Sequence, residues 1–257
     1  MGTVQRNNRT VGYQVNGQGA ALLVFHGTTQ EANGWDPVRT VMPIERQWIA
    51  VEFPGSGESS MSDGPIDIDD IVADAVAVLE TLGITECDVA GYSLGAVVAL
   101  KFAATHPNKT RTVTSLCGWA KTDARMRLTF DLWRRLIAID PELFMRYALA
   151  DGYTADGLTA LEPMLEMAIS LAATTIQPGS DAQLELDIRI DIEQDLSKIT
   201  APALIIGGIE DRWVDITHSR HLATAIKGAT LVEMPAGHIV IAELAGDVAA
   251  RLASHIA

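Results

Sequence analysis

Short apolar runs and longer stretches of helical periodicity alternate at both ends of this chain. Residues 10–15 and 21–25 read as strands parted by the Asn16-Gly17-Gln18-Gly19 turn, and 47–53 reads as another, ending in Pro54-Gly55-Ser56-Gly57. Residues 67–82 carry Ile68, Ile71, Val72, Ala75, Leu79 and Leu82 at helical spacing, which predicts a helix with Asp67 as N-cap and Gly83 as terminator. A short strand at 87–90 precedes a helix at 96–104 that is apolar nearly all round and therefore buried. Strands at 111–116, 202–208 and 230–234 follow, with a helix at 218–226. A last helix presents Ile241, Leu244, Ala245, Val248 and Leu252 on one face. Such alternation predicts an α/β fold, a parallel sheet covered by helices on both faces.

Between about 120 and 196 the strand runs disappear. Helical patterns occupy 124–139, 141–149, 155–173 and 181–191, with breaks at Asp140-Pro141, Asp151-Gly152 and Gln177-Pro178-Gly179. The expected organisation is a core of residues 1–120 and 195–257 with a helical cap, or lid, inserted at 121–194.

Composition narrows the partners. At 257 residues and 48% hydrophobic, the chain can bury a sizeable core. A formal net charge of −14 argues against nucleic acid or an anionic membrane as the partner, while local arginines leave an anionic substrate open. Cys87 and Cys117 both fall at strand-like positions, which suits buried packing better than a disulfide, and two cysteines are too few for a structural metal site. No apolar run is long enough to span a bilayer, and the chain opens on a polar strand-like segment, so a cytoplasmic protein is expected. There is no P-loop or dinucleotide fingerprint. The expectation is a small-molecule substrate with no metal or organic cofactor; oligomeric state is left open.

The chemistry concentrates around Gly91-Tyr92-Ser93-Leu94-Gly95, between a predicted strand and the buried helix. A serine there sits on a sharp turn whose strain costs roughly 1–3 kcal/mol. Glycines on either side remove the side chains that would clash, and the helix N-terminus offers N–H groups to an anion. Serine is a weak nucleophile and needs a base, usually histidine, oriented by a carboxylate. Of six histidines, His238 follows the last predicted strand on the sheet edge where the serine also lies. His106 precedes Pro107 at a helix end, and His218, His221 and His255 fall on polar helices. For the acid, Asp211 in Gly207-Gly208-Ile209-Glu210-Asp211 is chosen, with Glu210 and Asp215 as local competitors.

An oxyanion hole needs two N–H donors, here expected from the backbone of Leu94 and of Thr28 in Phe25-His26-Gly27-Thr28-Thr29. His26 is expected to hold that loop's shape, and Thr28 or Thr29 can add a hydroxyl. Trp119, Trp133, Tyr147 and Ile239 are candidates to bind substrate. With Phe130, Phe144, Met145, Met164 and Met167 they suit a medium-sized, mostly apolar molecule, or else simply pack the cap on the core. Arg125, Arg127 and Arg212 bind an anion or form surface pairs.

The order Ser93, Asp211, His238, together with His26-Gly27, Gly55-Ser56-Gly57-Glu58-Ser59 and Gly237-His238, resembles the α/β-hydrolase superfamily over essentially the whole chain. The resemblance implies an eight-stranded, mostly parallel sheet with a helical cap. It also implies the chemistry of small capped esterases, enol-lactonases, perhydrolases and C–C bond hydrolases. Glu52 stands where many relatives carry Asp. The run His26-Gly27-Thr28-Thr29 lacks the glycines of some lipases, and serine at position 93 disfavours dehalogenase chemistry. The expected reaction is hydrolysis of an ester, lactone or thioester through an acyl-enzyme. The same residues could instead serve a C–C hydrolase, lyase or cyclase, and the fold could also act as a non-catalytic ligand receptor.

Overall fold

The computed structural model describes residues 1–257. Its strands are β1 Gly2–Arg6, β2 Arg9–Asn16, β3 Ala21–Phe25, β4 Gln47–Val51, β5 Cys87–Tyr92, β6 Thr110–Leu116, β7 Ala203–Gly208 and β8 Thr230–Met234. They form one sheet in the order β1-β2-β4-β3-β5-β6-β7-β8. Pairings from β4 through β8 are parallel, and only β1–β2 and β2–β4 are antiparallel. The eight-stranded, mostly parallel sheet implied by the resemblance is present.

Helices α1 Asp36–Arg39, α2 Ile68–Thr81 and α3 Leu94–Thr105 lie between strands of the first half. Between β6 and β7 come α4 Ala124–Ile139, α5 Pro141–Gly152, α6 Ala155–Leu161, α7 Leu165–Thr174, α8 Ser180–Arg189 and α9 Glu193–Leu196. Helix α10 Ile216–Ala225 joins β7 to β8, and α11 Val240–Glu243 and α12 Ala245–Ile256 close the chain.

Two of the expected helices are interrupted. The single helix expected at 155–173 is split into α6 and α7 by a 3-10 turn over Glu162–Met164, because Pro163 has no N–H for the helical ladder. The last helix is broken at Leu244, whose φ of −129° and ψ of 40° lie outside the helical region. Elsewhere the local signals act as read: Asp67 Oδ1 accepts the Asp69 N–H at 2.9 Å, and Gly83 takes a φ of 68° just past α2.

Every residue of β3 is buried, as a strand covered on both faces requires. Its alternate side chains enter different layers. Leu23 and Phe25 pack with Leu79 of α2 and Leu94 and Leu100 of α3, while Leu22 and Val24 pack with Trp35 and with Val248 and Leu252 of α12. The sheet is thereby fixed between helices, and the loops at the carboxyl ends of β3, β5, β7 and β8 share one edge. No helix is long and apolar enough to cross a membrane.

At the antiparallel edge, Asp74 of α2 is 1% exposed and pairs with Arg9 Nη2 at 3.0 Å and Arg6 Nη1 at 2.9 Å. Removing that carboxylate strands a buried guanidinium. Asp74→Ala should therefore lower stability by about 3 kcal/mol, read as a lower urea midpoint at unchanged slope.

Candidate active site

Ser93 follows β5 and caps the start of α3 with φ 56° and ψ −123°, outside the regions an L-residue normally occupies. The bend is possible only because its flanks lack side chains. A Cβ on Gly91 would stand 1.9 Å from the Gly95 carbonyl oxygen, and one on Gly95 would stand 2.2 Å from that of Phe25. Helix α3, buried apart from Lys101 and Thr105, anchors the turn from below.

Three distant side chains meet above it. His238 Nε2 lies 3.0 Å from Ser93 Oγ, and His238 Nδ1 lies 2.7 Å from Asp211 Oδ2. The other oxygen of Asp211 accepts the N–H groups of Trp213 at 2.9 Å and Val214 at 2.8 Å, which fixes the carboxylate. Its competitors are placed elsewhere: Asp215 caps α10 by accepting the Thr217 N–H, and Glu210 is exposed. The other histidines are also remote, with His218 beside Asp123, His221 beside Glu193 and His106 beside the Thr105 hydroxyl. With the hydrogen of Nδ1 directed at a carboxylate, Nε2 is free to take a hydroxyl proton. A carboxylate so placed would stabilise an imidazolium formed there.

The loop after β3 is shaped by buried polar contacts. His26 Nδ1 lies 2.7 Å from the Gly27 carbonyl oxygen, so it carries the hydrogen, and Nε2 accepts the Phe53 N–H at 3.1 Å. Burial pulls the His26 pKa down to about 4, although the Gly27 contact opposes this. Gln30 Oε1 accepts the Gly27 N–H at 3.1 Å. The Thr28 hydroxyl donates to Asp187 Oδ2 at 2.7 Å, and the Thr29 N–H donates to Gln183 Oε1 at 3.1 Å. The Thr28 N–H has no protein acceptor, and the Leu94 N–H belongs to the first turn of α3, where no helical acceptor exists.

A cavity of about 190 Å³ opens in front of Ser93 and His238. Trp133 of α4, Phe144, Met145 and Leu149 of α5, and Trp213 and Ile239 wall it, with Thr28 and Gln30 among its polar groups. Trp133 and Ile239 thus stand where substrate-facing residues were expected, but Trp119 and Tyr147 do not. Trp119 is fully buried, its indole N–H donating to Thr122 Oγ1 at 2.9 Å; the Tyr147 hydroxyl donates to Asp151 Oδ2 at 3.2 Å, outside the cavity wall. Met164 and Met167 are largely exposed, and Arg125, Arg127 and Arg212 contact backbone carbonyls or Asp151 rather than the cavity.

Trp213 was not anticipated, although it lies only two residues after Asp211. Its ring centre is 4.8 Å from that of His238 and 4.4 Å from that of Trp133, and its N–H donates to Asp151 Oδ2 at 3.1 Å. Gln183 and Asp187 were also missed; the only trace they leave is a polar pair four residues apart in a helix with buried leucines. Glu243 joins two segments, accepting the Gly237 N–H at 2.8 Å, the Thr154 N–H at 2.8 Å and the Thr154 hydroxyl at 2.6 Å. Cys117, Asp211 and His238 present ligand-type atoms within 4.8 Å of one another. Burial raises the Cys117 thiol well above its usual range, so it stays protonated, and Asp211 is already engaged, which makes the cluster packing around the acid.

A family model described as the alpha/beta hydrolase fold matches residues 20–243. The chain belongs to the α/β-hydrolase fold family. It is 27% identical over 243 residues to the pyrrolizixenacetamide deacetylase of Xenorhabdus hominickii, covering 93% of this chain and 91% of that one. It is also 27% identical over 244 residues to a protein of Azorhizobium caulinodans provisionally named the carbamate hydrolase RutD, covering 92% and 90%. Among solved structures, the enol-lactonase of Burkholderia xenovorans LB400 superposes with a TM-score of 0.86 at 22% identity, covering 99% of both chains, a likeness of fold. These α/β-hydrolase relatives carry the names of hydrolytic enzymes.

His26 gives a pH prediction. In the folded α/β hydrolase it stays neutral down to about pH 4, whereas unfolded it takes a proton near its ordinary value of 6.5. The unfolded state therefore binds more protons between those limits, and stability falls as pH drops through them, by about 3 kcal/mol in total from this residue. Urea titrations at about pH 7 and 4.5 should show that loss. A His26→Gln variant, which cannot titrate, should show a correspondingly smaller one.

Proposed function

We propose that this protein is a serine hydrolase in which Ser93, His238 and Asp211 form a catalytic triad acting on a small, uncharged acyl compound. The observation that carries the reading is the continuous line from Ser93 Oγ through the His238 ring to Asp211, set at the mouth of an apolar cavity. Ser93 attacks the substrate carbonyl as its proton passes to His238 Nε2. The negative oxygen is received by the N–H groups of Thr28 and Leu94, each such donor being worth about 2.7–4 kcal/mol in the transition state. His238 then gives the proton to the leaving alcohol or amine, which departs as the C–O or C–N bond breaks. Water, deprotonated by the same nitrogen, releases the acid and restores the Ser93 hydroxyl.

The walls bear on the substrate class. No charged side chain lines the cavity, which favours a neutral acyl group. Its volume of about 190 Å³ suits a compact one, such as an acetyl or carbamoyl group or a small lactone ring. The names of the deacetylase, carbamate hydrolase and enol-lactonase relatives fit that choice. We further propose that residues 121–194 act as a cap, since α4 and α5 supply the wall opposite the serine.

Fluorophosphonate labelling tests the reading. The wild type should label at Ser93, and Ser93→Ala should lose both the label and about 10⁴-fold or more of kcat. Labelling that persists in the variant would overturn the assignment. Across a series of p-nitrophenyl esters, kcat/KM should be highest for acetate and fall steadily once the acyl chain outgrows the cavity.

A further inference from the structure

Helix α8 presents two fully buried polar side chains to the loop that carries Thr28. Gln183 and Asp187 are four residues apart and so share a face. Gln183 is satisfied, its Oε1 accepting the Thr29 N–H and its Nε2 donating to the Pro54 carbonyl at 3.2 Å and to Ser56 Oγ at 2.9 Å. Asp187 is not. One oxygen accepts the Thr28 hydroxyl, while Oδ1 is buried without any partner. The groups facing Asp187 are the hydroxyl of Thr28 from the loop after β3 and that of Thr122 from the segment after β6, which donates to the backbone carbonyl of Asp187 itself. No cation or second acid acts on the carboxyl. Burial pushes it up to about 8, the Thr28 hydroxyl pulling part of the way back.

An unpaired acid in the interior costs stability that leucine would not, so its position calls for a reason. The loop it touches supplies one. Thr29 is β-branched yet has a φ of 69°, a conformation that persists only where surrounding contacts impose it. Gln183 holds the Thr29 N–H, and Asp187 holds the neighbouring Thr28 hydroxyl.

We propose that Gln183 and Asp187 are positioning residues, which fix the Thr28–Thr29 backbone so that the Thr28 N–H faces the oxygen of the attacked carbonyl, with the uncharged form of Asp187 as the working one. A carboxylate at Asp187 would set a negative charge beside the residue that must stabilise another. This role rests on the serine-hydrolase reading of the same site.

The test is kcat and KM for a short-chain ester across about pH 6 to 10, corrected for spontaneous hydrolysis. In the wild type kcat should fall as pH rises, roughly tenfold between about pH 8 and 9.5, as the acid ionises. Asp187→Asn cannot ionise and should keep most of the neutral-pH kcat with a flat profile through that range. Thr28→Val removes the hydroxyl that favours the ionised form; it should lower kcat at unchanged KM and move the falling limb to higher pH. Gln183→Leu should also lower kcat with KM retained. A purely structural role would lower melting temperatures and leave the limb where it is. Superimposable limbs in the wild type and Asp187→Asn would overturn the proposal. If the Asn variant fails to fold, an unmoved limb in Thr28→Val does the same. Fluorophosphonate labelling of the wild type runs alongside: absence of label at Ser93 overturns the serine-hydrolase reading itself, whereas normal labelling with unmoved limbs overturns only the positioning role.

Discussion

The backbone of α3 meets the end of β3 so closely that Gly95 has no room for a methyl group. A Cβ there would press on the carbonyl oxygens of Phe25 and His26, at 2.2 and 2.5 Å. This contact sets the start of α3 beside the exit of β3 and brings the Ser93 turn and the 26–29 loop to one spot. Ser93 takes its unusual angles there, and the first-turn N–H of Leu94 and the N–H of Thr28 both lack a protein acceptor. His26 and Gln30 then shape the loop, and α8 closes on it from the other side. Protein interiors resist compression, so a shift of α3 by even part of a bond length would be felt at each of these groups.

Apart from Asp211, charge is arranged around the site rather than in it. The chain carries a net −14, yet no charged residue lines the cavity. Asp211 is held by two backbone N–H groups and an imidazole, and Arg125 and Arg127 donate to the backbone carbonyls of Arg212 and Thr122. The hydroxyl–imidazole pair therefore sits among aromatic rings, chiefly Trp213 and Tyr92, whose centres lie 4.8 and 5.4 Å from the His238 ring. In such surroundings a fixed dipole acts more strongly than it would in water.

How far the sequence could be read depended on how local each signal was. The apolar runs of β3, β5 and β7 and the glycines about Ser93 are short-range constraints, and the elements they specify are where the pattern puts them. Asp211 was chosen from its place just after the β7 run, while the role of its neighbour Asp215 was hidden because α10, which it caps, starts two residues ahead of the expected helix. Pro163 was visible, but an apolar period running across it masked the break. Trp119 and Trp133 look alike in sequence. One reaches a threonine three residues on and the other faces the cavity, a difference set by the path of the chain after β6. Contacts such as Asp187 with Thr28 span 159 positions, so the neighbours of one residue do not point to the other.

Glu243 is the only side chain that hydrogen-bonds both to the loop bearing His238 and to the junction of α5 with α6. The adjoining Ile239 N–H is donated to the Gly152 carbonyl at 3.1 Å, and a Cβ on Gly237 would stand 2.2 Å from that same oxygen. The helices over the cavity are thus riveted at this corner, and lifting them here would drag the imidazole off its serine. Thr29, Gln30 and Met145, by contrast, border both this cavity and a second hollow walled by Ala172, Thr175 and Ile176 at the end of α7.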